Sequence, residues 1–339
     1  MPSGPSGNAQ HPARPLVDDH FNEELLDPRW VVGQPGNGRV EFAPSVIRFA
    51  LDSAEMGHYS DAQIDDHMGL HQARFPWRPP LRMEVRARAS HPMFPATPGL
   101  AAPAFSREDP RAVDRFRLTP FDPRTSPTGA PQTTAQTEAM RKAVALSAPT
   151  VEQDYLLGTV GFGFWNAAIS LMRAEPRLPD AIWFFGASPP SNMALVPGVA
   201  GWGWKAQVVH ANRLGALAAG APTLGAMLWA RLSGRPAAYA GASRWLQTMT
   251  GACEAPLDAH ADLRDWHEYT LEWRRNEARF WVDGVETLVV PQPPQGPLGF
   301  VAWLDNQYAV ATPRGELRFG TLSTGPQWLD LDYLRIVPL

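Results

Sequence analysis

The sequence predicts an all-β sandwich interrupted by a helical insertion, and three features point there. The segment LRMEVRARA (81–89) alternates Leu81, Met83, Val85 and Ala87 with Arg82, Glu84, Arg86 and Arg88. That period of two marks a strand with one buried face. The segment EARFWVDGVETLVV (277–290) holds Asp283-Gly284 between two apolar runs, a strong signal for a two-residue hairpin. Residues 211–251 break the strand pattern. There Pro222 precedes Gly234 and Pro236 precedes Gly251, twice placing proline near a helix start and glycine past its end. Leu224, Met227, Leu228 and Leu232 share one helical face.

The remaining elements follow in order. Residues 1–15 are rich in Pro, Gly and Ser and read as a disordered tail; ordered structure is expected from Leu16 as a single domain over 16–339. Residues 92–147 form an expected insertion, a Pro-rich loop followed by a short helix in AQTEAMRKAVAL. GTVGFGFWNAAISLM (158–172) has strand composition, with glycines where another backbone approaches closely. Ala181-Ile182-Trp183-Phe184-Phe185 lies between Pro-Asp and a Gly-Ala-Ser-Pro-Pro turn and reads as a buried strand. WHEYTLEW (266–273) puts His267, Tyr269, Leu271 and Trp273 on one face; GFVAWLDNQYAVATP (299–313) and WLDLDYLRIVPL (328–339) complete the strands.

Composition excludes several functions. The chain has 339 residues, 44% of them hydrophobic, enough for a substantial core. The net charge is −4 and the basic residues form no stripe, which argues against nucleic acid. Cys253 is the single cysteine, so no intrachain disulfide can form. The first twenty residues have no apolar core of a signal peptide, which reads as cytoplasmic, or as secreted if a leader has been removed. Leu214–Ala230 is too short and too rich in Gly and Ala to be a good membrane span. There is no Gly-x-Ser-x-Gly elbow and no phosphate loop. His58, His67 and His71, with Asp61, Asp65 and Asp66 between them, match no recurrent metal spacing, so neither metal nor cofactor is expected beyond a structural calcium. The oligomeric state is left open.

WHEYTLEWRRNEARFWVDGVETL resembles the signature hairpin of the concanavalin A-like jelly-roll sandwiches, glycoside hydrolase family sixteen in particular. DDHFNEELLDPRWVV, LRMEVRARA, GFGFWNAA and LDLDYLRIVPL resemble further strands of that family, in the right order, from about Val17 to Leu339 outside the two insertions. The resemblance implies a concanavalin A-like jelly roll with a concave carbohydrate cleft. It also implies that the catalytic Glu-x-Asp-x-x-Glu strand falls on 181–186. Here those three positions are Ala181, Trp183 and Gly186, so retaining hydrolysis by two carboxylates is not carried over.

On the concave face the resemblance gathers Trp165, Asn166, Trp183, Gln207, Trp303, Asp305 and Asn306, with Trp202, Trp204 and His210 nearby. Indole rings suit the apolar faces of sugars, and amides or carboxylates suit their hydroxyls. The expected function is therefore non-hydrolytic binding of a carbohydrate or small ligand. Three alternatives stand beside it: a glycosidase-like enzyme using Asp305, an enzyme of unrelated mechanism using Asp305 or His210 as base, and an apolar pocket lidded by 211–251. Asp305-Asn306-Gln307 either binds a ligand or braces a loop. Asp330 and Asp332 are expected on the convex side, solvated or holding a cation, and Asp18, Asp19, Asp65 and Asp66 at the surface or in loop caps.

Overall fold

A computed structural model describes residues 15–22, 26–43, 45–67, 75–94, 153–166, 180–193, 195–196, 199–210, 252–257, 262–311 and 317–339. The expected helices at 136–147 and 211–251 lie outside these residues. In chain order the strands are β1 (Val17–Asp19), β2 (Val31–Gly33), β3 (Gly38–Ala43), β4 (Val46–Leu51), β5 (Asp61–Asp65) and β6 (Leu81–Ala89). Then come β7 (Thr159–Trp165), β8 (Asp180–Ala187), β9 (Asn192–Met193), β10 (Gly203–His210), β11 (Cys253–Pro256) and β12 (His267–Trp273). The last are β13 (Glu277–Val282), β14 (Val285–Pro291), β15 (Gly299–Asp305), β16 (Gln307–Ala311), β17 (Leu317–Thr321) and β18 (Gln327–Pro338).

These strands build two large antiparallel sheets. One runs β14-β13-β12-β6-β18-β4-β3, with β1 paired to β18; the other runs β11-β10-β8-β7-β15-β5-β2. A small third sheet joins β17, β16 and β9. Among the described residues the architecture is all-β, as the sequence predicts outside its insertions. Strand β6 covers the residues whose alternation announced it, with Leu81, Met83, Val85 and Ala87 buried and the arginines between them half-buried. The β13–β14 turn has φ of 50° at Asp283 and 77° at Gly284, the two left-handed positions that an Asp-Gly hairpin supplies. The segment expected as one strand over 299–313 divides at Asn306 into β15 and β16, which belong to different sheets.

Alternation makes the core. Val160, Phe162, Phe164, Ile182, Phe184, Ala206 and Val208 of the second sheet face Met83, Val85, Tyr269, Leu271 and Phe280 of the first. Tyr269 ties the layers together, with ring centroids 5.2 Å from Phe162, 5.0 Å from Phe184 and 5.8 Å from Trp204, all near edge-on. Such pairs contribute about 0.5–1.5 kcal/mol each beyond simple burial. Trp204 is therefore a core residue, correcting its placement near the cleft: β10 turns every second side chain toward the first sheet, and Trp204 shares that side with Ala206 and Val208.

The terminal carboxylates also have a definite place. Asp330 is fully buried and accepts from Arg48 Nε at 2.7 Å and Nη2 at 2.9 Å, and from Arg88 Nε at 3.3 Å. Asp332 accepts from Arg86 Nη1 at 2.7 Å. Neither a solvated carboxylate nor a metal ion describes Asp330, because guanidinium groups supply the positive charge. Arg48 stacks 4.2 Å from the centre of Trp328 and Arg88 4.6 Å from Trp266, so the same arginines join the indoles by cation–π contact.

Candidate functional site: the outward face of the second sheet

The residues that alternate out of the core define the other face of the second sheet, the face the resemblance makes concave. Its centre is aromatic. Trp183 on β8 lies 5.9 Å from Trp165 and 5.3 Å from Phe185, both stacked, and 5.2 Å from Trp303 on β15. Trp165 and Trp183 are half-buried, while Phe185 and Trp303 are buried.

The sequence hollows the sheet to receive these rings. Strand β7 reads TVGFGFW, and both glycines point to this face. Gly163 pairs with Trp183, and a Cβ added to it would sit 2.6 Å from the Trp183 Cα and Cβ. Gly161 pairs with Phe185 on one side and Trp303 on the other, and its Cβ would meet the Trp303 ring at 2.7 Å. The glycines expected to admit a close backbone thus also make room for indoles.

One flank of the aromatic floor is a buried polar chain. Trp183 Nε1 donates to Gln207 Oε1 at 2.6 Å, Gln207 Nε2 to Glu254 Oε1 at 2.5 Å, and Lys205 Nζ to Glu254 Oε2 at 3.1 Å. Strand register builds it: Gln207 pairs with Trp183 on β8 and with Glu254 on β11. The chain fixes the Trp183 ring plane. Lys205 and Glu254 were missed in the sequence, since β10 and β11 only become neighbours in the folded sheet.

The other flank is acidic. Asp61, Gln63 and Asp65 alternate along β5 on this face, and Asp61 pairs with Asp305 across β15. Asp65 is 1% exposed and accepts from His67 N at 3.0 Å, so of its two expected places it takes the loop cap and not the surface; β5 lies between β15 and β2, and Ala62 and Ile64 anchor its other face in the core. Asp305 Oδ1 accepts from Thr159 N at 3.1 Å, Thr159 Oγ1 at 2.8 Å and Gln307 N at 2.9 Å. Desolvation pushes its carboxyl up to about 6, against the pull of those hydrogen bonds. Asp61 is raised well above the ordinary carboxylate range, first by desolvation and then by the Asp305 charge. The pair retains a proton that isolated carboxyls would lose.

The structure thus brings Trp165, Trp183, Gln207, Trp303 and Asp305 onto one face. Asn306 is set apart as a brace. It is fully buried, its Nδ2 donates to the His58 and Leu322 carbonyls at 2.9 Å each, and its Oδ1 accepts from Ser60 N at 3.0 Å. Asn166 follows β7 and accepts from Asp180 N at 2.7 Å, tying β7 to β8 at the strand end. His210 continues the core-facing side of β10, where its Nδ1 lies 3.0 Å from Asp180 Oδ1. Trp202 precedes β10 and is half-buried.

Strand β8, which the resemblance sets against the catalytic strand, carries no carboxylate on this face. Register runs unbroken from β7 through β8 to β10, with no bulge to turn position 186 outward. A Cβ on Gly186 would meet Trp204 and Val160, both core residues. Among the described residues no three His, Cys, Asp or Glu side chains are grouped so as to hold a metal ion, and no helix is long and apolar enough to cross a membrane.

Among the described residues the two large antiparallel sheets pack face to face as a β-sandwich. No protein-family model and no curated protein sequence matches the chain. Solved structures do. One is a laminarinase catalytic domain from Thermotoga maritima, at 9% identity and a TM-score of 0.45, covering 97% of this chain and 99% of that one. Another is an endo-acting O-glycanase of the human gut microbiota, at 11% and 0.44, covering 96% and 100%. A third is a pseudo β-1,3-glucanase and immunostimulatory antigen of Mycobacterium tuberculosis, at 14% and 0.42, covering 96% and 99%. At these scores none of them bears on what this chain binds or does.

Proposed function

We propose that this protein binds a carbohydrate, without hydrolysing it, on the outward face of its second sheet. The observation that carries the reading is Trp183. It stands at the position where a retaining hydrolase of the resembled family would hold a carboxylate, its ring plane is set by Gln207, and Trp165 and Trp303 flank it. Indole faces match the C–H faces of a sugar ring, and the polar flanks match its hydroxyls.

The test is a screen of β-glucans, agars and galactans for binding by calorimetry and for release of reducing sugar. The expected result is binding without release, and loss of that binding in Trp183→Ala. Hydrolysis that survives both Trp183→Ala and Asp305→Ala would overturn the assignment of this face.

A second reading has one observation behind it. Asp305 is partnered by Asp61, so the face holds two carboxyl groups with a retained proton, the minimum for acid–base work. Reducing-sugar release abolished by Asp305→Ala would favour it. Against it, Asp305 Oδ1 is already held by three hydrogen bonds.

A further inference from the structure

The acidic flank carries an amide with one end held by the protein and the other end open. Gln63 is the middle residue of β5, with Trp303 as its register partner on β15 and Gly33 on β2. A Cβ added to Gly33 would lie 2.8 Å from Gln63 Cγ and 3.2 Å from its Nε2, so β2 offers a glycine where the side chain lies along the sheet. Gln63 Nε2 donates to Asp65 Oδ2 at 3.1 Å. A carboxylate only accepts, so that contact fixes which end of the amide is the nitrogen. Oε1 is the other end. Among the described residues no group donates to it, and it is open to solvent, since Gln63 is half-buried and Oε1 is not one of the sealed polar atoms.

The other amides of this face are closed to a ligand. Gln207 is buried and gives Oε1 to Trp183 and Nε2 to Glu254. Asn166 is buried at the end of β7, where it accepts from Asp180 N. Charge on the Gln63 side runs one way. Asp61 and Asp65 stand two residues to either side of it on the same strand face, roughly 7 Å along the strand. Asp305 pairs with Asp61 across β15. Over the seven strands of this sheet Lys205 is the only lysine or arginine, and its ammonium is held by Glu254 on the opposite flank. The three aspartates are buried, where salt screens charge least.

We propose that Gln63 selects an uncharged saccharide: its Oε1 accepts from a hydroxyl of a chain that stacks elsewhere on Trp183, and the carboxyls around it turn away chains bearing carboxylate or sulfate. A hydroxyl has a proton to give to Oε1, whereas an ionised carboxylate or a sulfate has none. Strands β8 and β5 are three strand spacings apart, about 14 Å, so the chain crosses the strands and is longer than one sugar ring. The inference rests on the reading of Trp183 as a saccharide platform. It adds the charge class of the ligand and the residue that reads it.

The test uses the full chain and the polymer that the wild type binds from the β-glucan, agar and galactan panel. That polymer is offered as its hydroxyethyl and its carboxymethyl derivative, which have similar bulk and different charge. The hydroxyethyl form is expected to bind about tenfold tighter at low salt, with the gap closing as salt rises. A hydroxyethyl form that binds no better than the carboxymethyl form overturns the charge selection. Gln63→Met keeps an unbranched chain over Gly33 and removes the amide. It is expected to melt near the wild type and to bind the unmodified polymer about tenfold more weakly, the loss of one well-made hydrogen bond. A folded variant that binds within twofold of the wild type overturns the Gln63 contact and leaves the Trp183 reading standing. A wild type that binds no member of the panel overturns the Trp183 reading, and this proposal with it. If Gln63→Met does not fold, the wild-type side-chain amide decides by proton–nitrogen NMR. A Gln63 amide resonance that shifts on saturation with the polymer's oligosaccharides supports the contact, and one that stays fixed overturns it.

Discussion

Asp61 and Asp305 are register partners across β5 and β15, both buried, and burial holds both carboxyls above their ordinary range. A carboxyl raised on folding stabilises the protein below its unfolded value and loses that contribution as pH rises through its folded value. The window for Asp305 runs from its ordinary value of 3.8 to about 6. Wild type is therefore expected to lose stability between about pH 4 and pH 7 relative to Asp305→Asn, by on the order of 1–3 kcal/mol. Urea unfolding of both proteins across that range checks this, and parallel profiles would refute it.

The Lys205–Glu254 pair predicts an asymmetry. Glu254→Gln removes the counter-charge 3.1 Å from a lysine that is 2% exposed, and is expected to cost about 3–5 kcal/mol. Replacing both with apolar residues, Lys205→Met with Glu254→Leu, is expected to cost less than the single change. Chemical denaturation of the two variants measures the difference.

Gly163→Ala tests how the sheet seats Trp183. Gly163 has φ of 147°, and the new methyl would collide with the Trp183 main chain and Cβ at 2.6 Å. The expected cost is about 1–3 kcal/mol, together with a changed Trp183 fluorescence environment and weakened saccharide binding. Unaltered fluorescence and binding would count against the tight seat.

Asp330→Asn weakens three guanidinium hydrogen bonds at a side chain 1% exposed, against arginines about a third exposed. The expected loss is about 1–3 kcal/mol with saccharide binding unchanged, because Asp330 lies on the first sheet, away from the aromatic face. A binding defect at unchanged stability would show that the two sheets are coupled.

Legibility in the sequence followed the strength of local patterning. Strands β6 and β13–β14 declared themselves, because nine alternating residues and an Asp-Gly turn leave little choice of backbone. Strand β5 did not. Only Ala62 and Ile64 are apolar, and the polar Asp61, Gln63 and Asp65 sit on a face that burial by other segments, not local sequence, makes interior. The site divided the same way. Trp183 was assigned to this face by the resemblance, since the apolar run of β8 shows no alternation of its own, whereas Trp204 was misplaced because its side follows from where β10 docks.

The sequence by itself determined the all-β plan of the described residues, the hairpin, and the absence of carboxylates from positions 181–187 of β8, since these depend on residues near one another in the chain. Tertiary structure decided which distant groups meet: Asp61 with Asp305, Gln207 with Trp183 and Glu254, Gln63 with Trp303. Those pairings are set by strand register and burial, and both arise only when the two sheets close over their shared core.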